Sequence, residues 1–432
     1  MTSLETETSP APPAGADGPP AAKGDLASVL RLVAAVTGLA VLSVVAGFWK
    51  SLLVIVALFV MVMLHELGHF VMARRAGMKA TEFFVGFGPR LWSIRRGETE
   101  YGVKAIPLGG YVKILGMTNL EAVAAPDEPR AYRQKPFWGR FGVAVAGSTV
   151  HMILAFCLLF ALNAVVGSGL HAKQLPVIDK LSGIEGRPVP AADAGLKVGD
   201  EITALDGAPV VGFADFRSYV RTRPNTPIRV DYERDGRPAT TTLTPIEITA
   251  APASGGGPDE TRGFVGITAR IVDPTVGPVQ AVGRSARDMG TVVTGTVGAL
   301  GKLLSFQGVQ SYAHQVQGRT VPEADQANRF LSPVGVYQVA GTAADQGIGS
   351  VLALLALINV FVGIFNMLPL LPFDGGHVSI AVYEAIRSRI KGRRHFADAG
   401  KLMPVAYVTV AALALIFASS LYLDITKPLK LS

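Results

Sequence analysis

The run LLVIVALFVMVMLHELGHFVMA, residues 52–73, decides how the chain is read. It is apolar over a length that crosses a bilayer's hydrocarbon core, yet near its end it carries His65, Glu66 and His69. On a helix, residues four apart lie about 40° from each other around the axis and about 6 Å along it, so both imidazoles can reach one metal ion. Glu66, beside the first of them, is left to act as a general base. Two histidines and a glutamate in a lipid-buried helix are costly unless they serve a site, and the pattern therefore reads as a metal centre.

Composition agrees with a membrane protein. The 432 residues are 49% hydrophobic and only 17% charged, where an ordinary soluble chain is about 25% charged. The apolar residues gather in five stretches, 32–48, 52–73, 141–166, 351–373 and 403–423, the first being the shortest. The net charge of +7 does not point to nucleic acid, because the basic residues cluster beside the apolar runs, as membrane insertion demands. The lone cysteine, Cys157, lies inside the third stretch, so no intrachain disulfide can form.

Lys and Arg counts near the spans give an orientation. The segment between the second and third stretches is rich in them, from Arg74 and Arg75 to Lys135 and Arg140, and so is the one between the last two, with Arg387, Arg389, Arg393 and Arg394. Cationic loops stay on the cytoplasmic side. This predicts a multi-pass plasma-membrane protein with its N-terminal tail inside, the long segment between the third and fourth spans outside, and its C-terminus outside.

The same reading divides the chain. Residues 1–28 are a disordered tail of Ala, Pro, Gly and Glu, 29–50 an extra N-terminal membrane helix, and 51–75 the core helix with the histidines. Residues 76–140 form a cytoplasmic-side β segment and 141–167 the next core helix. In 172–250, β-rich pieces alternate with turns, and the run from Ala191 to Ile202 with Leu205-Asp206-Gly207 resembles the core of a PDZ domain. Such a domain binds an extended peptide or a free C-terminus at a sheet edge. Residues 251–348 read as a linker and an amphipathic helical region, 349–378 as a core helix, 379–402 as a basic cytoplasmic loop, and 403–423 as the last membrane helix.

Catalytic zinc takes three protein ligands and leaves one position for water. The third is sought in NMLPLLPFDGGH, residues 366–377, where two prolines, a carboxylate and two glycines end the fourth stretch. Prolines at membrane depth are tolerated where irregular backbone lines a cavity, and Asp374 would enter it. By the orientation above, both motifs fall near the cytoplasmic ends of their spans. Mixed imidazole and carboxylate ligation with an open position favours Zn2+. A substrate helix must be unwound before its peptide bonds can be attacked. The β-prone run from Tyr101 to Ile106, with the glycine turn Gly109-Gly110, offers a strand edge to hold the opened segment.

Together with Val85-Gly86-Phe87-Gly88-Pro89, Gly97-Glu98-Thr99-Glu100-Tyr101 and the run from Ile106 to Lys113, these motifs resemble the site-2 protease family of intramembrane zinc metalloproteases. Within it they are similar to the bacterial members with a PDZ domain between the second and third core helices. The resemblance runs from about residue 52 to the C-terminus. It implies a polytopic α-helical membrane protein: an intramembrane metalloprotease helix core, a membrane-associated β segment and an inserted extracytoplasmic PDZ-like domain. It further implies an endopeptidase that cuts transmembrane segments of single-pass membrane proteins, anti-sigma factors among them, after their outer domains have been trimmed. Asn366 would hydrogen-bond the substrate backbone, and the PDZ-like domain would act as a size filter. The chain departs from the family's Ala-Gly-Pro-x-x-Asn pattern at Ala146 to His151, and His151 is expected to be a hydrogen-bonded packing residue. A metal transporter would carry inverted repeats, which are not apparent, and would have no use for Glu66; a membrane-anchored PDZ adaptor would have no need of buried histidines.

Overall fold

The computed structural model describes residues 26–47, 49–117, 121–167, 173–183, 187–250, 260–272, 275–319, 321 and 329–427. All but the last three residues of the expected tail, and the linker at 251–259, lie outside the described residues. In chain order the first half comprises α1 (Leu26–Val45), α2 (Trp49–Arg75), β1 (Ala80–Arg96), β2 (Thr99–Ile114), α3 (Phe137–Ala161), β3 (Lys173–Leu181), α4 (Pro190–Asp193), β4 (Glu201–Leu205), β5 (Ala208–Pro209) and α5 (Phe213–Arg221). There follow β6 (Ile228–Arg234), β7 (Arg237–Leu243), β8 (Ile246–Ala250), β9 (Glu260–Phe264), β10 (Ile267–Val272), α6 (Pro278–Leu304) and α7 (Phe306–Val316). The last helices are α8 (Pro333–Gln346), α9 (Ile348–Phe365), α10 (Asp374–Lys391) and α11 (Ala399–Thr426).

Among the described residues four helices are long and apolar enough to cross a membrane: Trp49–Arg75, Phe137–Val166, Ile348–Phe365 and Gly400–Thr426. The pair α6 and α7, bent by 68°, would add a fifth if it counts as one broken span. These helices fit a polytopic membrane protein. The extra span expected at 29–50 forms α1 but is not among the four.

The chain forms two compact units. One contains Phe59–Gly147 and Ile380–Gly400. Here β1 and β2 make a long antiparallel hairpin, paired from Arg96↔Thr99 at the turn to Ala80↔Ile114 at the base. Its base packs into a small core of Ala73, Met78, Ile114, Tyr132 and Val143. Glycines let α3 approach α2 closely: a Cβ on Gly139 would stand 3.5 Å from Ala76 Cβ. A buried ion pair, Arg140 to Glu384, ties α3 to α10, and Glu384 also accepts from the Ala397 amide at 2.7 Å.

The second unit contains Ser148–Ser379 and Lys401–Ser432. Its β domain is a sheet in the order β10-β3-β4-β6-β7, with β5 on β4, beside the separate pair β8-β9. α5 seats Phe216 and Val220 in a core with Ile178, Ile202, Leu205, Ile228 and Leu243. Asp200, 1% exposed as a side chain, is clamped by Arg234 through two bonds of 2.8 Å and by the Lys197 amide at 2.8 Å. Burial alone would raise the Asp200 carboxyl, but Arg234 and the amide hold it below its usual value. Where α3 ends, the π-turn Leu162–Val166 carries Asn163, whose amide donates to Asp288 at 2.8 Å and Ser285 at 3.1 Å on α6. The buried Asp424 near the end of α11 accepts from Arg329 at 2.9 Å and from the Ser332 amide at 2.7 Å at the start of α8.

Three expectations need correction. The domain expected at 172–250 draws two more strands from beyond the linker: β9 pairs with β8, and β10 forms the sheet edge on β3. The helix expected at 349–378 is broken, α9 ending at Phe365 and α10 starting at Asp374, because Pro369 and Pro372 cannot donate to a helix. The expected loop at 379–402 is mostly helix. Ala381, Glu384, Ala385 and Ser388 recur at helical spacing on its less exposed face, a period that its basic charge conceals.

Candidate active site

α2 presents His65 and His69 one turn apart, each 7% exposed. Their rings stand edge to face with centroids 4.7 Å apart, and the two Nε2 atoms face each other at 3.1 Å. Two imidazole nitrogens on one tetrahedral zinc, each about 2.05 Å from it, lie about 3.3 Å apart, so the pair has the spacing of shared ligation. His69 Nδ1–H donates to the Val143 carbonyl at 2.7 Å. That bond assigns the proton to Nδ1 and leaves the Nε2 lone pair for a metal.

Gly147 of α3 lies over the two rings. A Cβ there would come within 2.3 Å of His65 Cε1 and 2.5 Å of His69 Nε2, so only hydrogen fits. Sequence reasoning missed both the Val143 carbonyl and the role of Gly147. The signal for the latter was a glycine in the middle of an apolar helix.

Strand β2 runs past the same stretch of α2. The Val112 amide donates to Glu66 Oε2 at 3.2 Å, which steers the carboxylate. Gly110 has no room for a side chain, since a Cβ would meet Met63 Sδ at 2.5 Å and the Phe84 carbonyl at 3.0 Å. Gly109 has φ +135°, a conformation that favours glycine, and its Cβ position lies 3.9 Å from Val62. Both glycines thus sit about one turn before Glu66 along α2. Next to them, Tyr111 donates to Glu82 and accepts from Lys104 at 2.8 Å. Burial, and then the Glu82 carboxylate, push the Tyr111 phenol above its usual pKa, so it remains a donor and braces the strand.

In the other unit, α9 is capped by Asn366, whose carbonyl accepts from the Gly375 amide at 2.8 Å. The chain folds back so tightly that a Cβ on Gly375 would strike the Met367 carbonyl at 2.3 Å, and one on Gly376 the Leu370 carbonyl carbon at 2.8 Å. These glycines let Asp374 stand in the first turn of α10. His151 meets Asn359 Oδ1 at 2.8 Å, and Asn359 Nδ2 donates to the Leu355 carbonyl at 2.8 Å, a packing pair.

His65 and His69 together offer two imidazole nitrogens to one metal ion. Two buried imidazoles at ligand spacing, with a glycine cradle over the rings, suit zinc. Of the other histidines, His171 lies outside the described residues, and neither His314 nor His395 is clustered with further metal-ligating side chains among the described residues.

Helices long and apolar enough to cross a membrane, with an H-E-x-x-H pair on one of them, are the marks of a membrane metallopeptidase. The model of peptidase family M50 matches residues 53–411. The chain is 34% identical over 406 residues to the zinc metalloprotease Rip1 of Mycolicibacterium smegmatis, covering 87% of this chain and 97% of that protein. To the zinc metalloprotease Rip1 of Mycobacterium tuberculosis it is 35% identical over 402 residues, covering 87% and 96%. The chain belongs to peptidase family M50, the site-2 proteases, and is a zinc metalloprotease. Its β domain is also similar to the PDZ domain of an SdrC-like protein of Listeria monocytogenes, at 22% identity over 23% of this chain and 87% of that one, with a TM-score of 0.16.

Proposed function

We propose that this protease hydrolyses peptide bonds inside the transmembrane segments of other membrane proteins, with His65, His69 and Asp374 as zinc ligands and Glu66 as its base. The observation that carries the reading is the Glu66 carboxylate, held by the Val112 amide at 3.2 Å next to a buried pair of histidines of ligand spacing. Zinc, when bound there, supplies a Lewis acid that lowers the pKa of a coordinated water to about 7 and polarises the carbonyl under attack. Glu66 takes a proton from the attacking water and gives it to the leaving amine. His69, with its tautomer set by Val143, keeps its Nε2 lone pair for the metal.

Gly109 and Gly110 receive the unwound substrate backbone, a role supported by their place beside Val62 and Met63, about one turn before Glu66. Asn366 hydrogen-bonds the substrate near the scissile bond. The substrates are single-pass proteins already trimmed outside, anti-sigma factors among them, and the β domain acts as a PDZ-like filter on the outer face of the plasma membrane. Residues 76–140 face the cytoplasm. The Lys and Arg distribution and the family support this arrangement.

The test is cleavage of a single-pass substrate in detergent by the wild type and by Glu66→Gln, with zinc measured on both. Cleavage by the wild type alone, with zinc retained in both, is expected. Equal cleavage by both would refute Glu66 as base, and failure of the zinc-loaded wild type on every membrane substrate would refute the substrate class.

A further inference from the structure

The β domain has a groove of about 390 Å³ between α5 and the segment that runs from β9 into β10. Its floor is apolar, made by Phe216, Val220 and Ala269 among others. β10 borders it as the last strand of the sheet: one edge pairs with β3, and the other has no strand partner among the described residues. A strand edge beside an apolar trough accepts an extended chain, whose backbone continues the ladder while alternate side chains enter the trough.

The charge of the lining is one-sided. Arg217 and Arg221, one turn apart on α5, and Arg262 on β9 line the groove, and no aspartate or glutamate is among the lining residues. Arg217 is held in place by a 2.7 Å bond to the neutral amide oxygen of Gln174 and by the Phe213 ring, 5.4 Å below its guanidinium. Neither contact neutralises it. The Arg217 and Arg262 guanidinium groups beside an apolar floor would repel a basic peptide and meet carboxylates as charge-assisted partners.

We infer that this groove selects an extended segment with an apolar residue and acidic side chains two positions to either side of it, which point the same way: the apolar side chain enters the trough, and the Asp or Glu carboxylates meet Arg217 and Arg262 on its walls. The inference rests on the reading that the β domain receives peptides, and it names the chemistry of what is received. Discrimination comes from the arginines, because backbone pairing along β10 is blind to side-chain charge.

The experiment measures fluorescence anisotropy of two labelled ten-residue peptides with the full chain in detergent micelles. One carries a Val with Glu two positions to either side and Ser between them, and the other replaces every Glu with Lys. The acidic peptide should bind at least tenfold more tightly and weaken with added salt. The single variants Arg217→Glu and Arg262→Glu, on opposite walls of the groove, should each cut that preference at least fivefold, and the double variant should abolish or reverse it. Equal binding of the two peptides, binding of neither, or a preference untouched by both variants would overturn the inference. The readout is binding without cleavage, so a negative result leaves the protease reading standing, and inactivity of Glu66→Gln has no bearing on the groove.

Discussion

The Val112 amide donates to the Glu66 carboxylate at 3.2 Å, so strand β2 is joined directly to the residue proposed as general base. An acceptor fixed by a backbone donor loses little freedom when it takes up a proton in the reaction. Shortening the side chain in Glu66→Asp withdraws the carboxylate from this donor by about one methylene. Turnover should fall about 100-fold, the order expected for a misplacement of about 1 Å, with zinc content unchanged. Cleavage rates and metal analysis on the same preparation check this.

Gly147→Ala forces a methyl group to within 2.5 Å of both histidine rings, so the rings must turn. Zinc affinity should drop about 10- to 100-fold, the range seen when metal ligands lose their orientation, as read by competition with a chromophoric chelator. Gly142→Ala is the control. Its Cβ would meet only the flexible end of Met72, at 3.1 Å, and zinc affinity should stay within about twofold of wild type, a difference of about 0.4 kcal/mol.

Glu384→Ala would leave Arg140 buried without its carboxylate. Uncompensated buried charges cost about 3–5 kcal/mol, so thermal unfolding in detergent should shift well below wild type. The double replacement Arg140→Met with Glu384→Leu should recover most of that loss, because a well-packed apolar pair can stand in for a buried ion pair. A double variant as unstable as Glu384→Ala would show that the site needs the charges themselves.

Asp200 makes the β domain acid-sensitive. Its carboxyl is held below the usual value in the folded chain, whereas the unfolded value is about 3.9. The clamp with Arg234 therefore contributes fully above about pH 4 and is lost as pH falls through the lower, folded value. Hydrogen exchange at β6, corrected for intrinsic rates, should show stability that is constant from neutral pH to about pH 5 and falls below pH 4. In Asp200→Asn the decline should flatten, with lower stability at neutral pH.

The chemistry of this protein is legible in its sequence because it is local. His65, Glu66 and His69 share one helical turn, and the prolines and glycines around Asp374 mark a broken segment whatever surrounds it. The β domain was readable only up to Ala250, because its closing strands, β9 and β10, come after a Gly, Pro and Ser linker: β9 folds back across it onto β8, and β10 pairs with β3 far back in the chain. Gly147, Val143 and Val112 were hidden for a related reason: a glycine or a backbone amide has no side-chain chemistry to declare, and its role exists only through the residue that packing brings to it.

In the β domain, Val272 is registered opposite Lys173, so the chain enters and leaves at neighbouring points on two adjacent strands. Cross-strand Cα atoms lie only about 5 Å apart, a gap that a few residues close. The domain is thus a cassette on a single doorway. A lineage could lose it, duplicate it or exchange it for another fold with paired ends through one insertion or deletion event, while the chain on either side keeps its course.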